Sequence, residues 1–317
     1  MRRLAVSFSG GETSALMTWH ILNGPMKDEY DEIEVVFANT GEEREETLLF
    51  VKQCQEHFGW DVKWIEAVVH EGVRKSNTHR LVDYGTATRM NAINGPFENS
   101  IRKYGIPNMK ARDCTKNLKQ RPIESYLKSI GWARDYDLAI GIRADEMDRL
   151  SPLAEKRRLV YPLMNNPKTT KPMVNEWWRQ QPFRLMLKGY EGNCAWCWKK
   201  SMRKHITLIR ENHNLYWFPY RMEILYNQTG PEFRKAERGE THTPLPEGYR
   251  RNFFREQLTV ADIWKESERR GEDFVPAEDD HIEYEAFDPT LDVGASCEES
   301  CEVFGEDDYE SEDENGS

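Results

Sequence analysis

The stretch that most constrains this chain is Leu4-Ala5-Val6-Ser7-Phe8-Ser9-Gly10-Gly11-Glu12-Thr13-Ser14-Ala15-Leu16-Met17-Thr18-Trp19. Leu4, Ala5 and Val6 form the short apolar run of a buried parallel strand. Gly10 and Gly11 let the backbone turn sharply and present several N–H groups. The helix that follows, with Ala15, Leu16 and Trp19 on one face, aims its positive end at the same spot. Backbone donors, the helix dipole and the hydroxyls of Ser7, Ser9, Thr13 and Ser14 converge where an anion can sit. The Lys of a G-x-x-x-x-G-K-[ST] loop is missing, which excludes a Walker phosphate loop. Taken alone, an ordinary Ser-capped strand–helix turn would read the same way.

The pattern downstream decides how the stretch is used. Apolar strands are expected at 3–8, 33–38, 62–69, 136–142 and 158–163, with helices from Thr13 to about Leu22 and from Glu45 to Phe58. This alternation predicts an α/β fold, a doubly wound, mostly parallel five-stranded sheet. In such sheets ligands bind beyond the carboxyl ends of the strands, where the strand order reverses. Ser9–Ser14, Asn39–Gly41 and Gly141–Arg143 would meet there. Residues 70–110, richer in Asn, Arg, Gly and Pro, interrupt the alternation as a lid or an insertion. Arg80, Arg89 and Lys103 in that segment could face a polyanion. Further helices are expected at Lys116–Ser129 and Pro172–Leu187, the second packing Trp177 and Trp178 on the core. Residues 200–270 read as mostly helical around a loop at 228–248. The chain divides into a nucleotide-binding domain (1–165), a helical region (166–290) and an acidic, disordered tail (291–317).

The net charge of −11 hides an asymmetry: 19 of the 55 acidic residues follow Arg270, with no Lys or Arg among them. The body is therefore basic, compatible with nucleic acid or with a small polyanion such as ATP. The Asp- and Glu-rich end has too little apolar surface to fold. No apolar run approaches the ~20 residues of a membrane span, and no signal peptide is evident. Six cysteines without a secretory signal point to thiols or metal ligands in a cytoplasmic protein.

Five motifs in order resemble the PP-loop adenine-nucleotide α-hydrolase superfamily, and within it the phosphoadenylyl-sulfate reductase-like branch. They are Ser9-Gly10-Gly11-Glu12-Thr13-Ser14; Asn39-Thr40-Gly41-Glu42-Glu43 with Glu46-Thr47; Arg112-Asp113-Cys114-Thr115 with Lys116 and Lys119; Gly141-Ile142-Arg143-Ala144-Asp145-Glu146; and Gly192-Asn193-Cys194-Ala195-Trp196-Cys197. The resemblance implies attack on ATP at the α-phosphate, releasing pyrophosphate and leaving AMP on an acceptor. Ser7, Ser9, Gly10, Gly11, Thr13 and Ser14 would cradle the phosphates, while Asn39, Thr40, Gly41 and Gly141 would edge the nucleotide. Arg143, Lys116 and Lys119 would neutralise developing charge. Glu42, Glu43, Asp145 and Glu146 are candidates for Mg²⁺.

In the members of this branch that hold a 4Fe–4S cluster, a Cys-Cys pair joins a later C-x-x-C. Here Thr115 replaces the second Cys of the pair, so Cys114, Cys194 and Cys197 would supply three thiolates and leave one iron open. The three-cysteine pattern resembles the nucleic-acid thiolation members. Other readings are zinc completed by His205, a redox pair, or inert thiols. Trp196, Trp198, Lys199, Lys200, Arg203 and Lys204 would shield a cluster or suit a nucleic-acid phosphate. Cys54 reads as a core residue. Cys297 and Cys301 could be a resolving pair or a further ligand.

Three functions compete. The first is a sulfurtransferase-like ATP pyrophosphatase acting on an acceptor such as nucleic acid, served by a sulfur or electron donor protein. The second is a phosphoadenylyl-sulfate or adenylyl-sulfate reductase. That family's C-terminal Glu-Cys-Gly-(Ile/Leu)-His sequence is not reproduced by Cys301-Glu302-Val303-Phe304-Gly305. The third is a non-catalytic nucleotide-binding partner protein. A homodimer is compatible with each.

Overall fold

The computed structural model describes residues 1–278 and Leu291, apart from residues 73, 74, 134, 166, 240–243 and 256. The calls on Cys297, Cys301 and the acidic tail lie outside the described residues. The strands are β1 (Arg3–Ser7), β2 (Glu32–Asn39), β3 (Val62–Val68), β4 (Thr78–Val82), β5 (Asp137–Ala139) and β6 (Leu159–Val160). They form one six-stranded sheet in the order β4-β3-β2-β1-β5-β6. All pairings are parallel except β3 with β4. The chain leaves β1 toward β2 on one side and returns to it through β5 on the other, with Val6 opposite both Val35 and Ala139. The carboxyl end of β1 is thus the reversal point of the sheet, and the Ser-Gly-Gly turn sits on it.

Side chains alternate across the sheet as the two-residue period demands. Leu4, Val6 and Phe8 enter one core with α1 (Glu12–Asn23), α2 (Glu45–Phe58) and Trp178, and fully buried Cys54 belongs to it. Ala5, Val36 and Ile65 face the opposite core, with Ile123 and Leu127. A third core gathers Trp196, Phe218, Phe253 and Phe254 with Ala67, Phe97, Ile101 and Leu118. The helical region therefore shares its core with residues from the first half of the chain.

The sheet has one strand more than the alternation predicted. β4 lies inside the interrupting segment 70–110 as an antiparallel edge strand, and its residues are exposed or half-buried, so it lacks an apolar run. The segment also contributes α3 (Pro96–Tyr104). Residues Asp113–Ser129 begin with one turn, α4 (Asp113–Thr115), and widen into a π turn over Lys116–Gln120 before α5 (Arg121–Ser129). Pro122 has no N–H to return to Leu118, a sequence reason for the widened register just before it. After α6 (Pro162–Asn165), α7 spans Lys171–Arg179 and ends well short of Leu187. Pro182 accounts for that, since the residue before a proline avoids helical backbone. Beyond it lie α8 (Met202–Asn212), α9 (Trp217–Tyr226), α10 (Pro231–Glu237) and α11 (Val260–Arg269). Among the described residues no helix is long and apolar enough to cross a membrane.

The interrupting segment is fastened to the sheet by Glu66, whose side chain is fully buried. Its carboxylate accepts hydrogen bonds from Asn39 Nδ2 (2.7 Å), Thr88 N (2.6 Å), Thr88 Oγ1 (2.9 Å) and Arg80 Nη2 (2.6 Å). Glu66→Ala would take one of the two acceptors from the buried Asn39 amide and the acceptor from Thr88 N–H, and would release Arg80, at a cost of roughly 3 kcal/mol. Urea denaturation should show that loss, and a change below about 1 kcal/mol would remove Glu66 as the fastening.

Candidate active site

The Ser9–Ser14 loop is shaped by contacts too close for side chains. Gly10 sits at φ +83°, and a Cβ there would stand 2.8 Å from Thr47 Cγ2 and 3.0 Å from Phe37 Cε2. Gly11 is extended (φ −100°, ψ 160°) and caps α1 without a side-chain hydrogen bond, so the first N–H groups of the helix are not satisfied by a capping side chain. Ser14 Oγ donates to Gly11 O (3.0 Å) and accepts from Ser9 N (3.1 Å). With that proton committed, the 2.8 Å contact between Ser9 Oγ and Ser14 Oγ has Ser9 as donor. Ser7 is buried at the end of β1. Glu12, the first residue of α1, is buried beside Arg184 (Nε–Oε1 3.1 Å). Burial pushes its carboxyl above the ordinary value, and Arg184 opposes this.

β5 delivers the second strand-end motif to the same place. A Cβ on Gly141 would lie 3.1 Å from Ser14 Cα, tighter than an ordinary contact, so glycine lets the two backbones approach without a shift. Arg143 then reaches the loop, Nη1 donating to Thr13 Oγ1 (3.2 Å). Its backbone N and side chain are fixed by Glu146 Oε2 (3.0 Å) and Asp145 Oδ1 (3.0 Å), while Arg149 pairs with Glu146. Asp145 is held below its ordinary value: burial acts to raise it, but the donors Lys171 N and Arg143 outweigh burial.

A cavity beside the carboxyl end of β2 is lined by Cys114, Cys194 and Cys197 together with Thr40, Glu43, Lys119, Lys200 and the aromatic rings of Phe97, Trp196 and Trp198. Trp196 anchors this C-x-x-C loop. It is fully buried, stacked on Phe218 (5.4 Å) with Phe97 and Phe253 at its edges. Its Nε1 donates to Glu42 Oε2 (3.0 Å), and Asn91 N donates to the other oxygen of Glu42 (3.1 Å). Lys200 Nζ donates to Cys194 O (2.8 Å). Glu43 accepts from Thr40 N (2.8 Å) and Thr40 Oγ1 (2.7 Å), and Lys119 Nζ lies 4.0 Å from it. Among the described residues no three His, Cys, Asp or Glu side chains converge as ligands of one ion.

Residues 3–165 match the phosphoadenosine phosphosulfate reductase domain. The chain belongs to that family. It is also similar to the uncharacterized nin region protein ORF290 of Escherichia phage lambda, at 29% identity over 303 residues, covering 95% of this chain and 94% of that one. No solved structure matches it.

Within this reductase-family frame Ser9–Ser14 and Gly141–Arg143 come together, Gly141 against Ser14 and Arg143 on Thr13, whereas Thr40 of the Asn39–Gly41 motif lines the thiol cavity, and several residues do other work than their type suggested. Asn39 is fully buried, its amide used by Glu66, Thr88 O and Gly41 N. Its amide thus shapes the Thr40-Gly41 turn. Lys119 stands at the thiol cavity, and Lys116 is half-buried on the π turn. Arg80 and Arg89 are engaged by Glu66 and Glu45, and Lys103 by Lys75 O. Lys199, Lys200 and Arg203 are buried, so they form no open basic surface. His205 is buried with Nδ1 2.6 Å from the Tyr216 hydroxyl, and it does not line the thiol cavity. One residue without an assigned role emerges, Asn193, visible in the sequence only as the neighbour of a cysteine, while Trp196, expected to shield a cluster, also anchors the cysteine loop in the aromatic core.

Burial pushes the Glu42 carboxyl up to about 8 from an ordinary 4.5, with Glu43 adding to the rise and the donors Trp196 and Asn91 opposing it. The folded protein then holds a proton that the unfolded chain has released between these values, so stability falls as pH rises from about 4.5 to about 8. Melting temperature should decline over that window in the native protein and less steeply in Glu42→Gln. Identical slopes would refute the assignment.

Proposed function

We propose that this chain is an ATP-dependent enzyme that adenylates an acceptor and then delivers sulfur to it, with Cys114, Cys194 and Cys197 holding an iron–sulfur cluster. The observation that carries this reading is that the three cysteines, drawn from two distant stretches, line one cavity whose rim, at Asn193, touches the phosphate loop. The acceptor oxygen attacks the α-phosphorus of ATP, the Pα–O–Pβ bond breaks, and pyrophosphate leaves. N–H groups at Gly10, Gly11 and the start of α1, with the hydroxyl of Thr13, bind and orient the phosphates. Arg143, preset by Asp145 and Glu146, stabilises the charge that develops there. Mg²⁺ would arrive on the phosphates, and Asp145, the most exposed of the four acidic candidates, is the group placed to meet it.

Soft thiolates are the donors that iron–sulfur clusters use, and a cluster's thiolates bind separate irons rather than one point. The cavity residues suit that donor set better than a zinc ion, whose ligands must converge. Lys119 and Lys200 offset the thiolate charge, and Phe97, Trp196 and Trp198 exclude water. A bound cluster would supply an open coordination site for sulfide brought by a donor protein; a C–S bond to the adenylated carbon forms as its C–O bond breaks, and AMP leaves with that oxygen. The basic body is compatible with a nucleic-acid acceptor, and a separate protein would supply sulfur or electrons.

Anaerobic purification with iron and acid-labile sulfide analysis tests the metal half. Both should be present, and Cys114→Ser, Cys194→Ser and Cys197→Ser should each reduce bound iron about tenfold or more. Stoichiometric zinc, or full iron in Cys114→Ser, would overturn it. Calorimetry with ATP and assay of pyrophosphate release test the nucleotide half, which fails if neither binding nor release is seen.

A further inference from the structure

We infer that Asn193 is a positioning residue that couples nucleotide occupancy of the phosphate loop to the backbone of the Cys194–Cys197 loop; the inference rests on the ATP-binding reading above. Asn193 is 3% exposed and both ends of its amide are in use. Nδ2 donates to Ser9 O at 2.9 Å, and Oδ1 accepts from Thr47 Oγ1 at 3.2 Å. Its backbone carbonyl accepts from Arg44 N at 2.9 Å, and the next residue, Cys194, forms an antiparallel bridge with Glu43. The amide cannot be turned over, because Ser9 O only accepts and would then meet Oδ1.

The coupling follows from peptide planarity. Ser9 C=O and Gly10 N–H belong to one peptide plane, so aiming the N–H at a phosphate fixes where the carbonyl points. That carbonyl is the acceptor for Asn193 Nδ2. A triphosphate that draws in Gly10 N–H therefore sets the position of the Asn193 side chain, and with it the backbone that carries Cys194. Positive φ at Gly10 gives the plane room to rotate where a side chain would collide with Thr47. Thr47 braces the other end of the same amide, so movement is passed on to the cysteine loop.

Hydrogen exchange of the whole chain, read by mass spectrometry with and without ATP, tests this at the amides themselves. In the native protein ATP should slow exchange of peptides covering 9–15 and 192–200, each by roughly tenfold. Asn193→Ala removes both contacts, and Asn193→Asp sets a carboxylate oxygen against Ser9 O. In both, protection of 9–15 should persist while protection of 192–200 is lost. Protection of 192–200 retained in either folded variant would overturn the coupling. So would native protein protected at 9–15 alone, a result that needs no variant to fold. Absence of ATP protection at 9–15 in the native protein would instead overturn the nucleotide reading, and the coupling with it.

Discussion

The site depends on two backbones approaching more closely than side chains permit. β1 and β5 end side by side against the first turn of α1, and glycines at positions 10 and 141 are what let them meet. Any Cβ at Gly10 would strike Thr47 and Phe37, which belong to the next helix and strand. The loop is thus moulded by α2 and β2 as much as by its own sequence. Its shape in turn sets where Arg143 reaches Thr13, and where Ser9 offers its carbonyl to the cysteine loop.

Buried carboxylates hold the irregular segments in place. Glu66 gathers Asn39, Arg80 and Thr88; Glu42 joins Asn91 to Trp196; Glu98 accepts from Asn94 N, Tyr226 and Arg221. In each case the acceptor joins separate segments, and at least one donor (Thr88, Asn91 or Asn94) lies outside helix and strand. Such a group must be satisfied when water is excluded, so it specifies which loop lies where. Glu223 does the same for the turn between Phe253 and Val260, and burial pushes its carboxyl up to about 7.

The parallel strands and the order of the strand-end motifs were legible because buried strands have apolar runs and reversal points have glycines. The helices after β1 and β2 were legible for a related reason, their apolar periodicity. β4 escaped notice because an edge strand with two exposed residues lacks both signals. The family of motifs named Asn39 as a nucleotide contact, yet its side chain is buried, since its neighbour across the sheet is Glu66, a fact of register. Residues 199–203 read as a basic surface by composition, whereas Trp196, packed at the centre of an aromatic cluster, draws them inward. Asn193 was quoted as part of a motif without a role, because its meaning lies in Ser9 and Thr47, far away in sequence.

The shared core has a consequence for how the molecule is made. Chains emerge from the ribosome N-terminus first and tend to fold domain by domain. Here Phe97, Ile101 and Leu118 share a core with Trp196, Phe218 and Phe253, all synthesised much later. Until then α3 and the π turn present bare apolar faces, and Cys114 waits with them on an unfinished wall. The thiol cavity cannot close before residue 200 of 317 has been made, so whatever it receives can be enclosed only after that point.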